Sequence, residues 1–159
     1  MNDLIFEPLE KLGIDINTIK SYDILCLPDN LDSATSKDDL FDADNSMDIY
    51  KYLKNTNVKC ANSVDLGLNA GVVERRSKDI WLGVIWVLNH VALPILINTL
   101  SEYLKPYIIN ISDLPMVPKK QQSTIHLDLK ILKTDKFTSL KYKGDPQTLN
   151  KVLKSLNND

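Results

Sequence analysis

Residues 80–101, IWLGVIWVLNHVALPILINTLS, form a stretch of 22 residues without a charged side chain. This length matches the roughly 20 apolar residues that cross a ~30 Å hydrocarbon core. Asn89, His90 and Pro94 lie near the middle of the stretch and oppose insertion, because polar groups without partners are costly in lipid. The stretch is apolar nearly all round, which is typical both of a buried core helix and of a membrane span. Hydropathy therefore leaves both alternatives open.

Proline determines the shape that we expect for this stretch. Pro94 lacks a backbone donor and disfavours helix at Leu93. We therefore predict one long apolar helix that is kinked at Pro94, or two helices over about 79–92 and 95–105. If the segment spans a membrane, the basic residues that precede Ile80 place the N-terminus inside.

Composition favours a small intracellular chain. The 159 residues are 43% hydrophobic, which is enough to bury one core, or two small lobes around a shared helix. The start, MNDLIFEPLEKLGIDI, has neither a basic region nor a long apolar run, so we expect no signal peptide and a cytoplasmic location, with the inner membrane as the alternative. Cys26 and Cys60 lie in apolar, strand-like settings and are expected to be buried reduced thiols.

Charge is distributed unevenly along the chain. Residues 1–57 carry 12 acidic and 5 basic groups, a net charge of −7, whereas residues 112–159 carry 5 acidic and 9 basic groups, a net charge of +4. Opposed ends can steer self-association or docking on a charged partner, and they equally fit two ordinary solvated surfaces. Nucleic acid is a weaker option for the basic end, because only Phe137 and Tyr142 are available there for stacking.

The N-terminal third is predicted to form a βαβ-like lobe. Residues 22–27 are a compact apolar run that ends at Pro28, as a buried strand does. Residues 47–54 read as a helix with an N-cap at Ser46, and residues 58–61 resemble a second strand. A strand, a helix and a strand within about 40 residues predict a parallel unit.

The C-terminal part is predicted to form a ββα lobe. Residues 124–130 alternate apolar and polar side chains, which indicates a strand with one wet face, and residues 137–143 follow as a second strand after a turn. Asp145 as N-cap and Pro146 at the first helical position then start a helix. Its apolar residues share one stripe: Leu149, Val152, Leu153 and Leu156.

These elements together predict a mixed α/β (α+β) fold of three parts. An acidic α/β lobe occupies residues 1–73, an apolar helical segment occupies residues 74–111, and a basic ββα lobe occupies residues 112–159. A ββα unit of this size buries too little apolar surface alone, so we expect it to pack on the long segment, on the first lobe or on another subunit.

No motif predicts catalysis or a bound metal. Residues 42–48 carry alternating carboxylates like the start of a calcium loop, but Met47 replaces the required glycine and Leu53 the required glutamate. His90 and His126 are isolated, as structural histidines usually are. The chain has neither zinc-ligand spacing nor a Gly-rich phosphate loop. We therefore expect no cofactor and favour a non-enzymatic role, with an enzyme built on the acidic loop as the catalytic alternative.

Two runs carry a resemblance to known proteins. The run ERRSKDIWL at 74–82, the apolar helix predicted after it, and the strand pair ending in YKGDPQTL at 142–149 resemble small uncharacterised bacterial proteins. Over residues 74–159 the chain is similar to the effector-associated domains of bacterial conflict systems, in which an apolar helix precedes a ββα unit. The resemblance carries over no functional residue. It implies a non-catalytic component that joins an effector or sensor to a partner in phage defence.

We therefore predict a small adaptor or regulatory subunit of a larger bacterial assembly. It would bind a protein partner, or a second copy of itself, through the apolar region at 80–107. Large aromatic residues dominate binding hot spots, and the expected interface residues are Trp81, Trp86, His90, Leu93 and Ile97. The alternative is a membrane-inserting effector whose helix at 80–101 spans or permeabilises the bilayer, with its polar residues facing a bundle interior.

Overall fold

The computed structural model describes residues 6–72, 78–108, 123–134 and 136–157. Within these ranges the α-helices are α1 (Glu7–Glu10), α2 (Ile16–Lys20), α3 (Ser46–Lys54), α4 (Leu93–Leu104) and α5 (Pro146–Leu156). The strands are β1 (Ile24–Leu27), β2 (Phe41–Asp42), β3 (Cys60–Ala61), β4 (Gly71–Val72), β5 (Ile80–Val87), β6 (Ile125–Lys133) and β7 (Lys136–Gly144). The fold is mixed α/β, as predicted. The predicted features at 74–77 and 109–122 lie outside the described residues.

Five of the strands form one mixed sheet in the order β3-β1-β5-β6-β7. β1 and β3 are parallel, with Ile24 opposite Cys60, and α3 lies between them in sequence, so the predicted βαβ unit is present. β5 runs antiparallel to β1 and parallel to β6, and β7 returns antiparallel to β6. The sheet thus takes strands from all three predicted parts of the chain. β2 and β4 form a separate parallel pair.

The apolar stretch at 80–101 is not one helix. Its first eight residues form β5, the central strand of the sheet, and its last nine belong to α4. Six of the eight β5 residues are β-branched or aromatic, the types that favour strands. The strand is apolar on both sides because both faces of the sheet are covered there, a pattern that periodicity alone cannot distinguish from a buried helix. The prediction of a long central helix was therefore wrong.

A short polar break separates the strand from the helix. The side chain of Asn89 accepts a hydrogen bond from the N–H of Val91 at 3.1 Å, which begins a 3-10 turn at His90–Ala92. α4 follows directly, and Pro94 stands in its first turn, where a missing N–H costs nothing. Pro94 therefore starts a helix and does not kink one.

The sheet separates two cores. On one face α3, α4 and α5 cover the strands, with Ile49, Leu96 and Leu149 fully buried there. On the other face the N-terminal helices and the segment after β1 cover β1 and β5, with Leu9 and Trp86 in the core. Cys26 and Cys60 are buried free thiols, as predicted. Burial is the main cause that raises the pKa of the Cys26 thiol.

The C-terminal ββα unit matches its prediction closely. β6 alternates buried and half-buried residues along its length, and β7 pairs with it without a register shift. The Asp145 side chain accepts a hydrogen bond from the N–H of Thr148 at 2.8 Å and caps α5. Leu149 and Leu153 are buried, so α5 packs its apolar stripe on the sheet.

None of the helices in the described ranges is both long and apolar enough to cross a membrane. The alternative of a spanning helix at 80–101 is wrong because residues 80–87 are hydrogen-bonded into the sheet between β1 and β6. A membrane effector that depends on that helix is not proposed further.

Candidate functional site

The five predicted interface residues do not form one surface. Trp86, Leu93 and Ile97 are 1%, 2% and 3% exposed and belong to the core of the chain itself. Trp86 lies on the face covered by the N-terminal helices, whereas Leu93 and Ile97 lie on the opposite face. Trp81 is half-buried and His90 is exposed. Because successive strand residues point to opposite faces, a stripe expected on one helix is divided between two cores.

An open groove lies between α3 and α4. We call it the tyrosine groove; its volume is about 360 Å³, and it is lined by Asp48, Lys51, Tyr52, Asn55 and Tyr103. The α3 residues recur at three- and four-residue spacing and so share one helix face. Tyr52 is 54% exposed, which makes it one of the most exposed large apolar side chains of the described part.

Hydrogen bonds hold Tyr103 at the back of the groove. Its hydroxyl donates to the Asp48 carboxylate at 2.7 Å and accepts from the Asn45 side-chain amide at 3.1 Å. Burial, together with the bond to Asp48, raises the pKa of Tyr103, so the hydroxyl stays neutral at physiological pH. The rings of Tyr52 and Tyr107 approach the Tyr103 ring at centroid distances of 6.0 and 6.2 Å. The result is a hydrogen-bonded aromatic wall at Tyr103 with an exposed rim residue at Tyr52.

A second cavity lies on the wet face of the sheet, where β5 and β6 begin and β7 ends. We call it the polar cleft; its volume is about 270 Å³, and its polar and aromatic lining is Asp29, Trp81, His126, Asp128, Lys141, Tyr142 and Lys143. The β6 and β7 residues face each other across the strands, His126 opposite Lys143 and Asp128 opposite Lys141. Alternation along β6 placed His126 and Asp128 on one face in the sequence prediction, and the structure confirms it.

The aromatic side of the polar cleft is held rigidly. The Trp81 ring stacks on the His126 ring, with centroids 3.6 Å apart and planes 4° from parallel. The His126 ring lies 2.9 Å from the Asp79 carboxylate through Nε2. Asn45 bonds the Trp81 backbone twice, accepting from its N–H at 2.8 Å and donating its own N–H to its carbonyl at 2.9 Å. Since Asn45 also reaches Tyr103, one side chain connects the two cavities.

Asp128 is the residue of the polar cleft that we expect to lower the stability of the fold. It is half-buried, and its Oδ1 is buried without a hydrogen-bond partner among the described residues. Burial is the main cause that raises the pKa of Asp128; Lys141 and Lys130 oppose the rise, and Asp32 and Asp29 add to it. A carboxylate oxygen that is desolvated and unbonded lowers the stability of the fold. Such a cost is typical of a group retained for binding.

Asp128→Asn is expected to raise the free energy of unfolding at pH 7. The gain is limited to about 1 kcal/mol because solvent screens a half-exposed group. The raised pKa means that folding disfavours the ionised carboxyl, and a neutral amide removes that cost. The gain should shrink as the pH falls through the raised pKa, where the wild-type carboxyl takes up a proton. Urea unfolding at pH 7 and at about pH 3.5 measures both effects.

Asp38→Asn, at an exposed position in the short 3-10 helix Lys37–Asp39, is the matched control for that comparison. It should change the unfolding free energy at pH 7 by less than about 0.5 kcal/mol. A clear loss of stability in Asp128→Asn at pH 7, with this control unchanged, would contradict the reading of Asp128 as a destabilising residue.

The acidic loop does not form a metal site in the described part of the chain. No group of three or more His, Cys, Asp or Glu side chains that could hold a metal ion occurs there. Asp42 instead accepts a hydrogen bond from the Ser63 hydroxyl at 2.5 Å, and burial raises its pKa. Asn45, the neighbour of these carboxylates, supports Trp81 as described above. These two contacts connect the loop to Ser63 and to the start of β5.

No family model, curated protein or solved structure matches this chain. Its function must therefore be argued from the two cavities. The tyrosine groove was missed at the sequence level, because Tyr52 and Tyr103 lie 51 positions apart and no local pattern joins them. Part of the polar cleft could be predicted from the sequence, namely the polar face of β6 and the lysines of β7.

Proposed function

We propose that the chain is a non-catalytic adaptor or regulatory subunit that binds a protein partner through the tyrosine groove. The observation that carries the proposal is an exposed Tyr52 at the rim of a 360 Å³ groove whose wall is the fixed Tyr103 ring. Tyrosine supplies a large contact area with few rotatable bonds and is enriched at binding hot spots.

The partner that fits this groove is an amphipathic helix. Two helices border the groove, and its α3 side runs from Asp48 to Asn55, about 10 Å along the helix axis, which matches about two turns of a docked helix. An apolar side chain of the partner would pack against the exposed Tyr52 ring beside Tyr103, and Asp48, Lys51 and Asn55 would form a polar rim. This arrangement is the helix-in-groove mode of recognition.

The tyrosine groove includes part of the segment 80–107, which the sequence predicted as the binding region. Tyr103 and Tyr107 lie in the segment 80–107, and they replace the buried Trp86 as anchors. The resemblance of residues 74–159 to effector-associated domains supports a place in a larger bacterial assembly, with phage defence as the proposed setting. Self-association through the same groove is the competing arrangement, and the experiment below separates the two.

Tyr52→Ser is expected to abolish partner binding and leave the fold intact, because the side chain is exposed. Affinity capture from cells of the native host would compare wild type, Tyr52→Ser and Val64→Ser, whose replaced valine is 68% exposed outside the groove. Loss of a hot-spot tyrosine costs about 2 kcal/mol or more, which is roughly a 30-fold loss of affinity. Unfolding curves of the three proteins verify that they fold equally well.

The proposal predicts that a co-purifying protein disappears with Tyr52→Ser and remains with Val64→Ser. Light scattering on the purified chain tests self-association: a wild-type dimer that Tyr52→Ser converts to a monomer would identify a second copy as the occupant. A partner that is captured equally by both variants, or a chain that stays monomeric and captures nothing, would overturn the proposal.

A further inference from the structure

We propose that the polar cleft binds a small zwitterion, specifically a free α-amino acid with an apolar side chain. The cleft shares no lining residue with the tyrosine groove, so this site is separate from the partner surface. At about 270 Å³ it is smaller than the cavities that take drug-sized ligands. Its lining carries groups of both charges beside an aromatic wall, and each of the three matches one part of an amino acid.

The acidic side of the cleft would take the ammonium group. Asp128 Oδ1 is buried and has no hydrogen-bond partner among the residues that the structure describes, so the Asp128 carboxylate would gain from an added donor. Asp29 lines the same cleft and acts electrostatically on Asp128. An ammonium with three donors between these carboxylates would relieve the cost of burying Asp128.

The basic side would take the carboxylate. Lys141 and Lys143 are two positions apart on β7, so both side chains lie on the same face of the sheet as Asp128 and His126. Both lysines are exposed at their ends. A ligand with only a positive charge would approach two ammonium groups without compensation, and a purely anionic ligand would approach Asp29 and Asp128 in the same way. The mixture of charges therefore favours a zwitterion.

The aromatic wall would take the side chain. Trp81 is half-buried. Its ring stacks on His126, which in turn bonds Asp79, and its backbone is held by Asn45. A surface that is already rigid loses little entropy on binding. It supplies an apolar area to one side of the charged groups, which selects ligands such as leucine or phenylalanine over strongly polar amino acids.

The test is calorimetric titration of the full chain with L-leucine, L-phenylalanine and L-methionine. Saturable binding by at least one of them below about 10 mM is expected. Two analogues of leucine isolate the charges: 4-methylpentanoate lacks the ammonium, and 3-methylbutylamine lacks the carboxylate. Each should bind at least about tenfold more weakly than L-leucine. NMR of the two indole N–H groups should show a shift for Trp81 and little change for the buried Trp86.

Variants assign the binding to the cleft. Asp128→Asn and Lys141→Met should each weaken the amino acid by about tenfold or more, and Lys151→Met, at an exposed position on α5, should not. Asp128→Asn is expected to fold at least as stably as wild type, so its loss of binding cannot be attributed to unfolding. No saturable binding by any of the three amino acids, equal binding of the half-charged analogues, or unchanged affinity in Asp128→Asn would each overturn the proposal.

Discussion

Replacing Trp86 with alanine is expected to lower the free energy of unfolding by about 3–5 kcal/mol. Trp86 is 1% exposed near the C-terminal end of β5, and its ring lies 5.0 Å from the Phe137 ring and 5.7 Å from Lys130 Nζ. Truncation would leave a cavity between the sheet and the N-terminal helices, because neighbouring strands cannot close around it. Denaturant unfolding followed by circular dichroism measures the loss.

Two other variants define what that loss means. Trp86→Phe keeps a ring and removes an indole N–H that has no partner in the described ranges, so it should cost less than half as much. Val91→Ala, at a residue 78% exposed in the same apolar stretch, should stay within about 0.5 kcal/mol of wild type. If Trp86 were instead a binding anchor on a surface helix, Trp86→Ala would leave the stability unchanged and would abolish association. That outcome would contradict the placement of residues 80–87 as the central strand of the sheet.

Gly83→Ala is expected to cost about 2–4 kcal/mol, the second large effect. Gly83 has a φ of +81°, beside the point at which the pairing of β5 with β6 shifts by one residue. An alanine Cβ there would lie 2.9 Å from the Ala43 Cβ, so the variant adds a steric contact to the backbone strain. Because Gly83 also lines the polar cleft, the substitution should disturb the position of Trp81.

Gly67 offers a matched control for the Gly83 prediction. Its φ is +74°, but no atom lies within 4 Å of the position of an added Cβ. Gly67→Ala should therefore cost only the backbone strain, about 1–2 kcal/mol. Combining Gly83→Ala with Ala43→Gly removes the close contact and should recover part of the loss. Equal costs for Gly83→Ala and Gly67→Ala would show that the contact with Ala43 has no effect on stability.

The error at residues 80–101 has a definite physical source. A strand that is covered on both faces and a helix that is covered all round both appear as uninterrupted apolar runs. Local information that favoured the strand was present, since isoleucine, valine and tryptophan make up most of β5, and Asn89 with Pro94 marked the start of a new helix. These local preferences produce a strand only when β1 and β6 are in place to pair with β5.

The two cavities also show that sequence patterns predict local features but not contacts between distant elements. His126 and Asp128 could be placed on one wet face because alternation along a strand is a local property. Their neighbours Asp79 and Trp81 enter from another strand, and Tyr52 meets Tyr103 across two helices that are far apart in sequence. Contacts of this kind depend on how the elements pack, and no spacing rule encodes them.

The sequence by itself determined the local units: the βαβ start, the paired strands at the end, the Asp145 cap, the buried thiols and the opposed charges. Each depends on periodicity, capping or composition, which act over a few residues. The tertiary structure alone decided that residues 80–87 are the central strand, that Trp86 is core and that Tyr52 is surface. A strand obtains its backbone hydrogen bonds from other strands, so whether an apolar run becomes one is settled only when its neighbours are in place.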